Sequence, residues 1–470
     1  MRAVRQGLLV ALARVFTTLV CWWSGFRAIS DDDYSRVAIA AHFAHHPSPD
    51  PSGTSWLPLP FWLYGVPMAV LGDSLSVARG VALVLGAGAA VLVWVAARLL
   101  GLSERAALVG TLAAVLLPYG AWLSAATVPE APTAALILLG SVSLLRPEAK
   151  LRALGGLALG AACFCRYEAW APALVFAGIG ACDAWREKRR ELWAAVLFAA
   201  APIALWLLHG LVRHGDALFF IARVRGYGAA LGAAPESALT KLFKTPFALV
   251  RFEPELFAIT AVALALSLRR DDSPFEAGAW RPLAALGSLL AFLIIGDLTG
   301  GAATHHPERS LLPLFWFLAL LGAGLIVRLA QEPRRFLLPA LALPLALAGS
   351  LWLRPDVRRT FVDRRDEELV GGVLRSLGAQ QVALDCDDFG YFAVQAALGD
   401  GRSFPLQAHD PRHPEPPRPA TSKDLAELLR RHHARWLVTP RERTELARSL
   451  GKVPLTTSRF SVVRLDSAAF

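Results

Sequence analysis

Runs of about 20 apolar residues recur along the chain as far as Trp352 and then stop. The first covers roughly 7–26. Others lie near 77–98, 106–124, 130–145, 152–166, 168–185, 191–209, 246–268, 282–297, 310–328 and 335–352, about eleven membrane-spanning helices in all. The stretch 27–75 is polar at its start but rich in Trp, Phe, Pro and Leu, which predicts one or two short amphipathic helices in the membrane interface. From about Asp356 charged and apolar residues intermix. The pattern there predicts a helix over Asp366 to Leu377, a strand at Val382 to Asp385 and a helix from Phe389 to Leu398. A Pro-rich loop at 411–419 follows, then a helix from Lys423 to His432, a strand at Trp436 to Val438, a helix from Arg441 to Leu450 and terminal strands to about Leu465. The fold class is therefore an α-helical multi-pass membrane protein with a transmembrane domain over 1–352 and a small α/β domain over 353–470. Without a glycine-rich phosphate loop, no nucleotide is expected.

Composition agrees, with 55% of the 470 residues hydrophobic. Lysine and arginine outnumber aspartate and glutamate by 48 to 38, a net charge of +10. In a membrane protein this reads first as cytoplasmic loops facing anionic lipid, not as nucleic-acid binding. Arg2 and Arg5 precede the first apolar run, no small-x-small cleavage site follows it, and Cys21-Trp22-Trp23 suits a membrane interface. The run is thus read as an uncleaved helix with a cytoplasmic N-terminus. Alternation then puts Arg98 and Arg105, the Arg146 to Arg152 group, the Arg186 to Arg190 group, Arg269, Arg270 and Arg281, and Arg328, Arg334 and Arg335 in the cytoplasm, as the positive-inside rule requires. An odd number of spans sends the α/β domain to the extracytoplasmic side of an inner (plasma) membrane. Five cysteines give no disulfide framework, and Cys163 and Cys165, two apart, read as small core residues.

The chemistry-bearing residues gather in Ile29 to Trp62. Asp31-Asp32-Asp33 places three carboxylates side by side at a membrane surface, where repulsion and lost hydration predict at least one perturbed pKa. A single Asp suffices to cap a helix beginning at Tyr34. His42, His45 and His46 fall at i, i+3 and i+4, so two can share a helical face and bind a divalent metal with an Asp; interfacial histidines also occur without one, and no metal ligand is assigned. The outside stretch from His209 to Lys244 carries Arg213, Arg223, Arg225, Lys241 and Lys244, which topology does not need. A bound anion such as a lipid phosphate and contact with anionic head groups both account for them. Arg166, in Cys165-Arg166-Tyr167-Glu168, suits a phosphate or an Asp; pairing with Glu168 is not expected, since near neighbours on a helix do not face each other. Glu130, after Val128-Pro129, either touches an acceptor or complements a helix N-terminus.

The layout resembles the GT-C superfamily of integral-membrane glycosyltransferases, in the branch of the protein O-mannosyltransferases and the lipid A aminoarabinose transferase. The matching pieces are Asp32-Asp33 before Tyr34, Trp56-Leu57-Pro58-Leu59-Pro60-Phe61, and His306-Pro307-Glu308-Arg309 leading into a late helix. Two departures stand out: Ser310 follows that Arg where the family often has an aromatic, and the carboxylate pair is part of an Asp triplet, not Asp-Glu. The resemblance implies a sugar carried on a polyprenyl phosphate and an acceptor hydroxyl on a lipid, glycan or protein. It implies a single inverting displacement with Asp32 or Asp33 as general base and Tyr34 and Trp56 at the substrate; Arg166, Arg309, and Arg223 or Arg225, are candidate cations for the phosphate, and Glu130 is a candidate for contact with the acceptor. His305 and His306 either hydrogen-bond that phosphate or sit at the interface. A multi-pass transporter or lipid flippase is the rival reading, and it predicts midplane ionisable residues and internal repeats. The charges instead cluster at span ends, and neither half of the sequence resembles the other.

Overall fold

The computed structural model describes residues 2–230, 236–268, 278–300, 307–329, 361–410, 412, 415 and 418–466. Its packing divides the chain into two units. One comprises Met1–Phe26, Gly53–Pro60 and Ala82–Arg359; the other comprises Arg27–Ser52, Phe61–Val81 and Thr360–Phe470. The division by composition at 352 and the division by packing therefore run differently, because most of 27–75 groups with the C-terminal residues.

The first unit is helical. Its elements are α1 (Arg2–Trp23), the greater part of α4 (Leu75–Leu99) after α2 (Asp31–His45) and α3 (Leu59–Leu71) of the other unit, then α5 (Glu104–Leu116), α6 (Pro118–Ala125), α7 (Glu130–Ser143) and α8 (Ala149–Cys163). There follow α9 (Trp170–Arg186), α10 (Trp193–His214), α11 (Phe219–Ala230), α12 (Ala238–Phe252), α13 (Pro254–Leu268), α14 (Trp280–Thr299), α15 (Pro307–Ser310) and α16 (Leu312–Leu329). Among the described residues four helices are long and apolar enough to cross a membrane, namely α1, α4, α10 with its preceding turn, and α14; the bent pair α5 and α6 adds a fifth. The other predicted spans on described residues are helices of 14 to 18 residues. The predicted span 335–352 lies outside the described residues. The protein is an α-helical multi-pass membrane protein.

Helix α7 is the centre of this unit: 12 of its 14 residues are buried, as expected of a helix that is apolar all round. It packs on α8, and α8 on α10, through glycines. A methyl at Gly156 would sit well inside contact distance of the Ala195 carbonyl, and one at Gly160 would do the same at Phe198. Such small residues let membrane helices approach backbone to backbone.

Two predicted spans are broken. At 106–124 the chain bends by 71° between α5 and α6, where Pro118 removes a backbone donor. The freed groups are not left dry. Arg14, fully buried midway along α1, donates to the Val115 carbonyl at 2.9 Å and the Ala121 carbonyl at 2.6 Å, and the Tyr119 N–H donates to Glu253 at 3.2 Å. Arg14 is thus an exception to the expectation that charges gather at span ends. At 246–268 the break falls on Glu253, whose φ of −134° and ψ of 62° leave the helix; Pro254 disfavours helical geometry in the residue before it.

The second unit contains α2, α3, the first turns of α4 and an α/β sandwich. The sandwich comprises α17 (Arg365–Ser376), β1 (Val382–Leu384), α18 (Tyr391–Leu398), β2 (Ser403–Pro405), α19 (Ser422–Arg431), β3 (Trp436–Pro440), α20 (Thr444–Arg448), β4 (Gly451–Thr456) and β5 (Phe460–Leu465). The sheet order is β2-β1-β3-β5-β4, with β1 parallel to β2 and β3, and β5 antiparallel to β3 and β4. Alternation sends Val382, Leu384, Val438 and Val462 to one face with Val370 and Leu374 of α17 and Val394 and Leu398 of α18. Ala383, Leu437 and Val463 face Leu425 and Leu429 of α19 on the other. The predicted helices and strands are found, with β2 added. Both predicted helices in 27–75 are found: α2 buries Asp33, Tyr34, Ser35, Val37, Ala40 and Ala41, whereas α3 is apolar on all sides and not amphipathic.

Candidate functional site

The aspartate triplet forms the first turn of α2, and its three carboxylates diverge into three environments. Asp31 is held by Arg364 through two hydrogen bonds of 2.8 and 3.0 Å. Asp33, 2% exposed, accepts from the N–H groups of Ile29 at 3.1 Å and Ser30 at 3.2 Å, the work of a helix cap. Asp32 between them is exposed. Repulsion among the three is relieved because successive positions on a helix point about 100° apart, and Asp31 and Asp33 are held by the donors just named.

Arg364 is the hub of this end of the unit. Its guanidinium also donates to Asp388 at 2.8 Å and to Glu367 at 3.0 Å, and Arg459 reaches the same Glu367 oxygen at 2.8 Å. Burial pulls the Arg364 pKa down, but Asp31 and Asp388 outweigh it and hold the guanidinium above its ordinary value. Burial pushes the Glu367 carboxyl up against the pull of the two arginines. Tyr34, predicted to meet substrate, is 1% exposed and donates its phenol to Glu368 at 2.6 Å; Arg79 binds the same carboxylate at 2.5 and 3.0 Å. Burial, then the Glu368 charge, pushes the Tyr34 phenol far up. A third tie joins Asp73, ahead of α4, to Arg375 at 2.7 Å and to the Asp400 N–H at 3.0 Å. Burial raises the Asp73 pKa, but these donors win and it lies below the usual carboxylate range. Helix α17 thus grips the segment that carries the triplet. Nothing in the sequence foretold this, since the partners are 289 to 334 positions apart.

The histidines of α2 separate. His45 meets Asp73 at 3.4 Å, whereas His42 meets Asp400 at 3.1 Å with His46 beside it.

In the first unit, Arg166 gathers a polar cluster. It donates to Glu130 at 2.7 Å and to the Ser310 hydroxyl at 3.2 Å, and it pairs with Glu168. The expectation that Arg166 and Glu168 do not pair is corrected. Arg166 is extended at φ −152°, ψ 144°, ahead of the 3-10 turn Tyr167–Ala169, so helical spacing does not apply. Glu130 is 4% exposed and lies in the first turn of α7. Arg309, 6% exposed, lies on α15 next to Ser310, so the late motif and Arg166 come together. Arg223 donates to the Gly53 carbonyl at 2.6 Å, latching α11 to the segment that contains Trp56, while Arg225 is exposed. Trp56 is half-buried, and its neighbour Leu57 packs with Trp206, Phe219 and Phe220. His305 and His306 lie outside the described residues.

No protein-family model matches the sequence, and no curated protein sequence matches it. The structure is similar to the crystal structure of ArnT from Cupriavidus metallidurans bound to undecaprenyl phosphate, with a TM-score of 0.62 and 14% identity over 99% of this chain and 98% of that one. The apo state of the same protein gives a TM-score of 0.60 and 13% identity over the same shares. At such identity the likeness is one of fold, and the chain has the fold seen in ArnT.

Proposed function

We propose that the protein is a glycosyltransferase that moves a sugar from a polyprenyl-phosphate donor to an acceptor hydroxyl on the extracytoplasmic face of the membrane. The observation that carries this reading is the exposed Asp32 on a chain with the ArnT-type fold, flanked by Asp31 and Asp33, which are engaged by Arg364 and by the helix cap. An acceptor hydroxyl needs a carboxylate that can reach it, and Asp32 meets that need better than Asp33, whose oxygen already accepts two backbone N–H groups. In an inverting displacement Asp32 takes the hydroxyl proton as the acceptor oxygen attacks the anomeric carbon, and the sugar–phosphate bond breaks to release polyprenyl phosphate. Such a leaving group requires cations to stabilise its developing charge. Undecaprenyl phosphate bound to the structurally similar ArnT supports the choice of donor class.

The test is sugar transfer by the purified protein in detergent from a panel of polyprenyl-phosphate sugars. Asp32→Asn is expected to reduce kcat by at least about a hundredfold, in line with loss of a general base, and to leave the melting temperature unchanged. Full activity in this variant would transfer the role to Asp33. Absence of turnover and of binding with every donor would overturn the reading.

A further inference from the structure

The C-terminal end of α2 carries chemistry that the transferase reading does not use. His42 lies in the last turn of α2 and His46 is the residue that caps it, and Asp400, from the loop after α18, reaches them. His42 Nδ1 is 3.1 Å from Asp400 Oδ1, the His42 and His46 ring centroids are 4.7 Å apart, and one ligand atom from each of the three residues falls within 4.8 Å of the others. We propose that His42, His46 and Asp400 form a binding site for a divalent transition metal of the zinc class.

The donor set fits that class. Two neutral imidazoles and one carboxylate suit zinc, cobalt or nickel and do not suit calcium or magnesium, which take oxygen ligands. Zinc–ligand bonds of 2.0–2.1 Å in a tetrahedron place ligand atoms about 3.3 Å apart. The His42–Asp400 pair already has that spacing. His46 needs a rotation of its exposed ring to bring the third atom in, and water completes the fourth position.

A supporting shell is also present. The Asp400 backbone N–H donates to Asp73 at 3.0 Å, and Asp73 is itself fixed by Arg375 and met by His45. Partners of this kind orient a ligand before the metal arrives. The His42 side chain is 56% exposed and Asp400 is 14% exposed, so the ion enters from solvent while the carboxylate stays directed. A bound ion would fasten the far end of the helix whose first turn holds Asp31 to Asp33, complementing the Arg364 bond at the near end.

Tag-free, chelator-treated full-length protein in detergent is titrated with Zn2+ against a chromophoric competitor, and with Co2+ under visible absorption. One ion per chain is expected, with the intense d–d bands of four-coordinate cobalt. His46→Ala and Asp400→Ala should each weaken binding by at least about a hundredfold, since even loss of a supporting partner costs 10–100-fold. His432→Ala, an exposed histidine outside the cluster, should bind as the wild type does. Zinc should also increase amide-exchange protection in 40–46 and 399–401. Absence of stoichiometric binding, binding undiminished in both variants, or only the faint bands of octahedral cobalt would each overturn the proposal.

Discussion

Asp31, Asp32 and Asp33 are identical in type and consecutive in sequence, yet Asp31 is bound by Arg364, Asp33 is buried under two backbone N–H groups and Asp32 is exposed. The triplet itself stands out in the sequence as three adjacent carboxylates. The division of roles does not, because Arg364, which claims Asp31, is 333 positions away and no local pattern encodes it. The same holds for Tyr34, a motif residue on sequence grounds and a buried phenol against Glu368 in the fold. Removing Arg364 would leave Glu367, whose side chain is fully buried, with half of its cationic support and Asp31 with none of this bidentate bond. Arg364→Met should therefore destabilise the protein by about 3–5 kcal/mol, the range for breaking a buried ion pair by deleting one partner. Thermal unfolding followed by amide exchange in α17 and α2 measures it; a loss below about 1 kcal/mol would show that the hub is dispensable.

At the scale of elements, periodicity made the helices and most strands of the α/β sandwich readable to within a few residues. It missed β2, because Ser403-Phe404-Pro405 is too short to show alternation and ends in a residue that belongs on a sheet edge. It also joined α5 to α6 and α12 to α13, since apolarity alone does not register a proline that breaks a span when Arg14 and Glu253 stand ready for the freed backbone. Helix contacts make a contrast of sign. Gly156→Ala should destabilise by about 1–3 kcal/mol, because the methyl has to displace the Ala195 backbone. Gly178→Ala in α9 meets open space and should stabilise by about 0.5–1 kcal/mol through helix propensity. Melting temperatures in one detergent decide both; equal shifts in the same direction would refute the packing argument.

For the whole molecule, the multi-pass class and the α/β appendage were written in the text as a change of period and composition. The grouping of 27–52 and 61–81 with the C-terminal residues was not, because it rests on tertiary ion pairs. The Arg364 hub also makes the second unit acid-sensitive, through Asp388. Burial raises the Asp388 pKa, but the Gly390 N–H and Arg364 outweigh it, so the folded value lies below the ordinary one. The unfolded chain then binds more protons than the folded one between the two values, and the stabilisation is present above about pH 4 and fades as pH falls through the folded pKa. Amide exchange in β1 and α18, corrected for intrinsic rates, should show protection lost as pH falls below about 4, and Asp388→Asn should flatten that dependence. An unchanged slope would remove Asp388 from the account.

The bond between Asp31 and Arg364 also sets a timetable. Ribosomes add about 5–20 residues per second, so the 333 residues between the two partners take on the order of 20–60 s to synthesise. During that interval the helix with the aspartates has been made, but the helix that will hold it has not. Throughout that interval the aspartate-bearing segment lacks the partner that holds Asp31 in the finished fold.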